Sequence, residues 1–210
     1  MIKEKKWFPV IYMFLVTALL SSIVIGFTQF TSNRVEANRK LAFEKAVLAV
    51  LPGLSDEKEK ATGLQLHLRF AEKVNEPDDY SAGAYTLIGS GKIIAYALPI
   101  SGRGFWAPIK GIIGIEADRK TITAIAFYQQ NETPGLGAEI TKPEFRDQFK
   151  GKVMRMGEKL LSLERPGTKL DKNSVHALTG ATQTSTRLET IINDALKKWQ
   201  QQLGDGLDRN

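Results

Sequence analysis

An α+β fold is predicted: a single N-terminal transmembrane helix, then one domain in which an antiparallel sheet packs against helices. Three observations carry the prediction. Residues Trp7 to Thr28 contain no charged side chain. Between residues 83 and 128, four short runs rich in β-branched and aromatic residues are separated by turn-forming segments. Near the C-terminus, Leu188, Ile191, Ile192, Ala195, Leu196, Trp199 and Leu203 fall on one helical face.

The first run is long enough to cross a bilayer core of roughly 30 Å at about 1.5 Å per helical residue. Trp7, Phe8 and Tyr12 stand near one end, where an interfacial belt places aromatic rings, and Lys3, Lys5 and Lys6 precede it. The positive-inside rule therefore puts the N-terminus in the cytoplasm and the residues after about 33 outside. Arg34, Arg39 and Lys40 soften that bias. A cleaved signal peptide is the competing reading. The run exceeds an ordinary h-region of about 7–15 residues and no clean Ala-x-Ala site follows, so an uncleaved single-pass anchor is expected.

Three segments follow from this. Residues 1–33 form a cytoplasmic stub and anchor, 34–80 a helical and linker region, and 81–210 the extracytoplasmic domain. Val35, Leu41, Ala42, Ala46, Val47, Ala49 and Val50 give residues 34–51 a helical period, ended by Pro52-Gly53. Residues 54–79 are polar and weakly patterned, with a turn expected at Glu76-Pro-Asp-Asp79. Gly83–Ile88 and Lys92–Leu98 flank Gly89-Ser-Gly91, a hairpin signal. Gly111–Glu116 and Thr121–Tyr128 flank a second turn, and their alternation predicts a half-buried sheet. Pro143–Phe149 reads as a short helix pairing Phe145 with Phe149. For the last helix, Thr184, Ser185 or Thr186 is the expected cap, with Glu189 as a capping-box partner of Thr186.

Composition removes several chemistries. The absence of cysteine excludes disulfides, zinc-thiolate sites, iron–sulfur ligation and thiol catalysis. Two histidines, His67 and His176, are too few for a histidine-rich metal site, so no metal ligands are assigned. The net charge of +6 is spread among interspersed acids, which fits solubility or an acidic membrane surface and argues against nucleic acid.

Two loops carry the functional signal. His176-Ala-Leu-Thr-Gly-Ala-Thr182-Gln-Thr-Ser185 sets hydroxyls and a glycine where a helix begins. Free N–H groups and the helix dipole make such a place receptive to phosphate. About forty-five residues earlier, Glu132-Thr-Pro-Gly-Leu-Gly137 is shaped for close backbone approach to a flat or charged group. Each loop alone is a weak signal. A third glycine-containing loop, Gly102-Arg-Gly-Phe-Trp106, precedes them.

Together and in this order, the three loops resemble the FMN-binding domain family. That family includes the covalently flavinylated C subunit of the sodium-translocating NADH:quinone reductase and, next closest, the G subunit of the Rnf electron-transport complex. The resemblance covers nearly the whole chain, and the choice between the two stays open. It implies that the last threonine of Thr179-Gly180-Ala181-Thr182 carries FMN covalently through a phosphoester. It also implies a separate flavin transferase that moves FMN from FAD with magnesium, and neighbouring subunits of an ion-translocating oxidoreductase in a bacterial inner membrane. One departure is His176, which stands six residues before Thr182 where the family pattern has aspartate.

The chemistry that the resemblance implies suits the residues. Thr184, Ser185 and backbone N–H groups are placed to bond the ester phosphate. Thr133, Pro134, Gly135, Leu136 and Gly137 suit a flat, mostly apolar slot for the isoalloxazine ring. Trp106 is expected either on a ring edge or in the core. Glu132 and Glu139 flank the loop, yet no nucleophile–base pair is recognised, so no catalytic residue is assigned. The expectation is an electron relay without substrate chemistry of its own. The alternative is an extracytoplasmic binding or sensor domain with a noncovalent small ligand.

Overall fold

The computed structural model describes residues 7–54 and 61–207. Lys3, Lys5 and Lys6 lie outside the described residues. Two units are present, Met1–Lys40 and Leu41–Asn210. A helix, α1, runs Phe8–Val50. Within the first unit most of its side chains are exposed, those up to Phe27 are largely apolar, and by length and composition the helix is able to cross a membrane. Four hydroxyls there, those of Ser22, Thr28, Thr31 and Ser32, bond back onto their own helix. Ser22 donates to the Ala18 carbonyl at 2.7 Å and Thr28 to that of Val24 at 2.8 Å, so these side chains bring no unpaired donor into an apolar surround.

The second unit is built on a five-stranded antiparallel sheet in sequential order: β1 (Val74–Asn75), β2 (Tyr85–Gly89), β3 (Lys92–Arg103), β4 (Pro108–Glu116) and β5 (Ile122–Gln129). The expected hairpin and the second strand pair are present; β3 and β4 run several residues further than the sequence indicated. The sheet is not half-buried as expected. On β4, Ile109, Ile113 and Ile115 join one core while Ile112 joins another, so both faces are covered. A buried strand of this kind needs no polar alternation.

One face receives the end of α1 and a helix that sequence periodicity missed, α2 (Gly63–Lys73). Its start was legible: Thr62 and Gln65 form a reciprocal capping box. Small residues on the sheet, Ala95, Ala97, Gly114 and Ala126, let α1 approach closely. A Cβ on Gly114 would meet the Val50 carbonyl oxygen at 2.5 Å. The Thr123 hydroxyl donates to that same carbonyl at 2.6 Å and satisfies an orphan acceptor at the helix end.

The other face carries α3 (Pro143–Arg146), which passes into a 3₁₀ turn over Asp147–Phe149, and the long helix α4 (Thr182–Leu207). Leu188, Ile192, Leu196 and Trp199 of α4 are buried against Tyr96, Leu98 and Ile100 of β3. Trp199 packs edge-on to Tyr96 and donates its indole N–H to the Ser81 carbonyl at 2.9 Å. A parallel pair that the sequence did not reveal, β6 (Ser162–Glu164) and β7 (Ser174–His176), leads into α4. Asn193 fastens the chain ahead of β6 to α4, accepting from the Leu160 and Leu161 N–H groups at 2.7 and 3.1 Å.

Candidate functional site

The start of α4 is four residues or so earlier than the cap expected from sequence. Its first bond runs from the Ser185 N–H to the Ala181 carbonyl at 3.0 Å. The N–H groups of Thr182, Gln183 and Thr184 lie ahead of it and are the orphan donors of a helix N-terminus. Glu189 is not a capping partner; it accepts from the Leu163 N–H at 2.7 Å and pairs with Lys159 at 2.8 Å. The turn into the helix needs Gly180, whose φ is +76°. Thr179, Gly180 and Thr182 are exposed, whereas Ala181 is buried. Thr182 therefore presents its hydroxyl at the surface on a backbone anchored from beneath.

Folding brings the second loop onto this turn. Thr133, Pro134, Gly135 and Leu136 are exposed, with Gly135 at φ +74° and the Leu136 N–H bonded to the Thr133 carbonyl at 3.1 Å. Leu136 lies over Gly180: a Cβ on that glycine would be 3.1 Å from Leu136 Cδ2. Gly137 is buried, with no room for a side chain.

Below both loops lies Glu132, which is 5% exposed. One carboxylate oxygen accepts from the Thr184 hydroxyl at 2.7 Å, and the other accepts from the Trp106 N–H at 3.1 Å. Sequence reasoning noticed Glu132 as a flanking acid and gave it no role. Only the juxtaposition with Gly104 and Gly137 could have signalled it. Thr184 is thereby redirected: its hydroxyl proton is committed to Glu132 and is not free for a phosphate. Ser185 is buried as well and accepts from the Leu178 N–H at 3.1 Å. Glu139 pairs with Lys142 at 2.5 Å, and that hydrogen bond holds the lysine pKa above its ordinary value.

Trp106 is 69% exposed, which removes the reading of a core tryptophan. It packs edge-on against Phe105, also exposed, at a centroid distance of 5.1 Å. The result is a buried polar base of Glu132, Thr184 and Ser185 under an exposed rim of Phe105, Trp106, Leu136, Gly180 and Thr182. A flat aromatic group and an esterified phosphate both fit this arrangement: apolar surfaces for one, N–H donors for the other. Beyond Thr182, a separate groove of about 790 Å³ runs between β3 and α4, lined in part by Arg103, Thr186, Arg187, Thr190 and Lys198. His176 lies at the end of β7, its Nε2–H donating to the Thr168 carbonyl at 3.0 Å and its backbone N–H to Gln148. No group of acids and histidines fit to hold a metal ion occurs among the described residues.

Comparison with known proteins gives this geometry its relatives. Residues 104–197 match the FMN-binding domain family. The C subunit of the Na(+)-translocating NADH-quinone reductase of Pasteurella multocida is 31% identical over 147 residues, 69% of this chain and 51% of that protein. The G subunit of the proton-translocating ferredoxin:NAD(+) oxidoreductase complex of Clostridium ljungdahlii is 27% identical over 183 residues, 87% of this chain and 86% of that one. The chain thus spans about half the length of the Pasteurella relative. Among solved structures, the C subunit of a Na(+)-translocating NADH-quinone reductase from Parabacteroides distasonis superimposes with a TM-score of 0.67 at 23% identity, covering 80% of this chain and 94% of that one. This last likeness is one of fold.

Proposed function

We infer that this chain, whose residues 104–197 form an FMN-binding domain, is a membrane-anchored electron-transfer subunit that carries FMN on Thr182 through a phosphoester. The supporting observation is the placement of Thr182: an exposed residue on the first turn of α4, beside the N–H donors of that turn and two residues from Gly180, over which the exposed Leu136 lies. FMN, when bound, supplies one- and two-electron transfer.

The chain's own residues bind and orient. The N–H groups of Thr182, Gln183 and Thr184 favour the ester phosphate with the helix dipole behind them. Gly180 leaves the approach to Thr182 open, because no side chain rises from it. Leu136 and Trp106 offer apolar surface to a ring, and Thr133 would supply a polar partner for a ring heteroatom. No general acid–base pair is needed for this task. Held by an ester, the cofactor would not be lost on an extracytoplasmic side, and a seat formed by exposed residues would let neighbours approach for electron exchange.

A flavin transferase would perform the attachment, and the neighbouring subunits of an ion-translocating NADH:quinone or ferredoxin:NAD oxidoreductase would deliver and take the electrons. The apolar run of α1 anchors the protein, with the domain on the periplasmic side. Coexpression with a flavin transferase tests the reading. The intact mass should rise by one FMN less water, and a fluorescent band should persist on a denaturing gel. Thr182→Val should abolish both, while Thr182→Ser should retain part. Colour that leaves with the supernatant on acid precipitation would overturn the covalent assignment and favour a noncovalent ligand.

A further inference from the structure

We propose that Glu132 is the positioning residue of the flavin seat: its carboxylate fixes the Phe105–Trp106 surface against the Thr182-bearing turn of α4. The proposal rests on the reading that FMN is carried at Thr182.

Glu132 follows the end of β5 and contributes nothing to the ladder, which closes at Gln129. An apolar side chain would fill the space with less desolvation, since a buried carboxyl is costly unless its oxygens are met by donors. Both are met, and by donors from different parts of the chain. One oxygen holds the Trp106 N–H at 3.1 Å and the other the Thr184 hydroxyl at 2.7 Å. No ion pair to Glu132 occurs among the described residues.

The surroundings are shaped to this side chain. A Cβ on Gly104 would sit 2.5 Å from one carboxylate oxygen, and one on Gly137 would sit 2.9 Å from Glu132 Cβ and 3.0 Å from the other oxygen. At both glycines a side chain would collide with this acid, together with the Ala107 carbonyl oxygen at 2.6 Å for Gly104 and the Thr184 hydroxyl oxygen at 2.5 Å for Gly137, and neither glycine has a positive φ. Above the acid, every residue that offers surface to a flavin is exposed: Phe105, Trp106, Leu136 and Thr182. These exposed pieces gain little fixity from packing. Glu132 supplies it from below, as a clamp on two loops, and transfers neither proton nor electron.

The test uses the full-length chain in detergent, in flavin-free form and after coexpression with the transferase. Three variants separate position from charge. Glu132→Ala releases both loops. Glu132→Gln keeps both, because its amide oxygen accepts from Trp106 and its NH₂ donates to the Thr184 oxygen. Thr184→Val releases only the helix turn.

In flavin-free protein, hydrogen exchange at the Trp106 amide should quicken about tenfold or more in Glu132→Ala and stay as in the parent for the other two. In loaded protein, flavin emission and visible circular dichroism should move toward those of free FMN in Glu132→Ala and Thr184→Val, with Glu132→Gln unchanged. Parent-like flavin spectra in Glu132→Ala would overturn the proposal. So would a Glu132→Gln variant that behaves like Glu132→Ala, since charge would then matter and position would not. Spectra that respond instead to Arg187→Ala would place the ring in the β3–α4 groove and overturn it as well. Failure of the unsubstituted chain to take up flavin would end the reading of Thr182 and the proposal with it, and is distinguished by the exchange measurement, which needs no flavin.

Discussion

Gly137→Ala probes the cradle most directly. The new methyl group would land 2.5 Å from the Thr184 hydroxyl oxygen, and ordinary contact begins at 3.4 Å, so that neighbour must retreat by about 0.9 Å. A displacement of this size exceeds what the 2.7 Å bond between Thr184 and Glu132 tolerates. Overpacking of this kind costs about 1–3 kcal/mol, and a weakened hydrogen bond to a carboxylate about 1.5–3 kcal/mol. The two effects relieve one another, so about 2–4 kcal/mol is expected rather than their sum. For a domain of this size each kcal/mol lowers Tm by roughly 2–4 °C, which predicts a drop of roughly 4–16 °C in a circular-dichroism melt.

Gly135→Ala is the matched control. Its methyl group would meet nothing within 4 Å, and the only penalty is the backbone at φ +74°. That conformation costs roughly 1–2 kcal/mol, so the smaller drop belongs to this variant. A Gly137→Ala protein as stable as Gly135→Ala would refute the reasoning. A cycle with Thr184→Ala adds a second check: removing the hydroxyl frees space for the methyl group, so the double variant should be less destabilised than the two single ones together.

Further predictions concern the elements that position the site. Asn193→Leu strands the Leu160 and Leu161 N–H groups in a buried setting, at about 1–3 kcal/mol each; faster hydrogen exchange at both amides and a lower Tm are expected. Gly114→Ala drives a methyl group to 2.5 Å from the Val50 carbonyl oxygen, a backbone atom, so the end of α1 must lift from the sheet, and protease sensitivity after Val50 reports it. Burial works to raise the Asp118 pKa, but the Thr121 hydroxyl, the Thr121 and Lys120 N–H groups and the Lys120 charge outweigh it and hold the carboxyl below its ordinary value. Its contribution to stability is therefore complete above the unfolded-state pKa of about 3.9 and fades as pH falls through the folded value. The Tm gap between the parent and Asp118→Asn should be constant at neutral pH and close in that acid range.

Local signals were legible in the sequence because their physical cause is local. The period of α4 follows from the spacing of Leu188, Ile192, Leu196 and Trp199, and the β2–β3 turn from Gly89-Ser-Gly91. The helix at Gly63–Lys73 was missed although Thr62 and Gln65 announce its start, because Leu64, Leu66, Leu68 and Phe70 alternate at every second position, which is the period of a strand and not of a helix. Both-sided burial of the sheet was missed for a different reason. Ala95, Ala97 and Gly114 carry little hydropathy, and their small size, which admits the end of α1, looks like a neutral choice until the helix is seen.

The site divides along the same line. The turns at Thr179-Gly180-Ala181-Thr182 and Thr133-Pro134-Gly135-Leu136 were legible, because they owe their shape to neighbours in sequence. The buried base was not. Glu132 reaches Trp106 across 26 residues and Thr184 across 52, and no local pattern encodes a bond of that span. What the sequence does retain is the complement of the acid: glycines at 104 and 137, each at a place where a Cβ would collide with it. A glycine that φ does not require marks a side chain arriving from elsewhere. Here two such glycines converge on one carboxyl. Removing the acid should therefore leave a cavity that neither glycine fills.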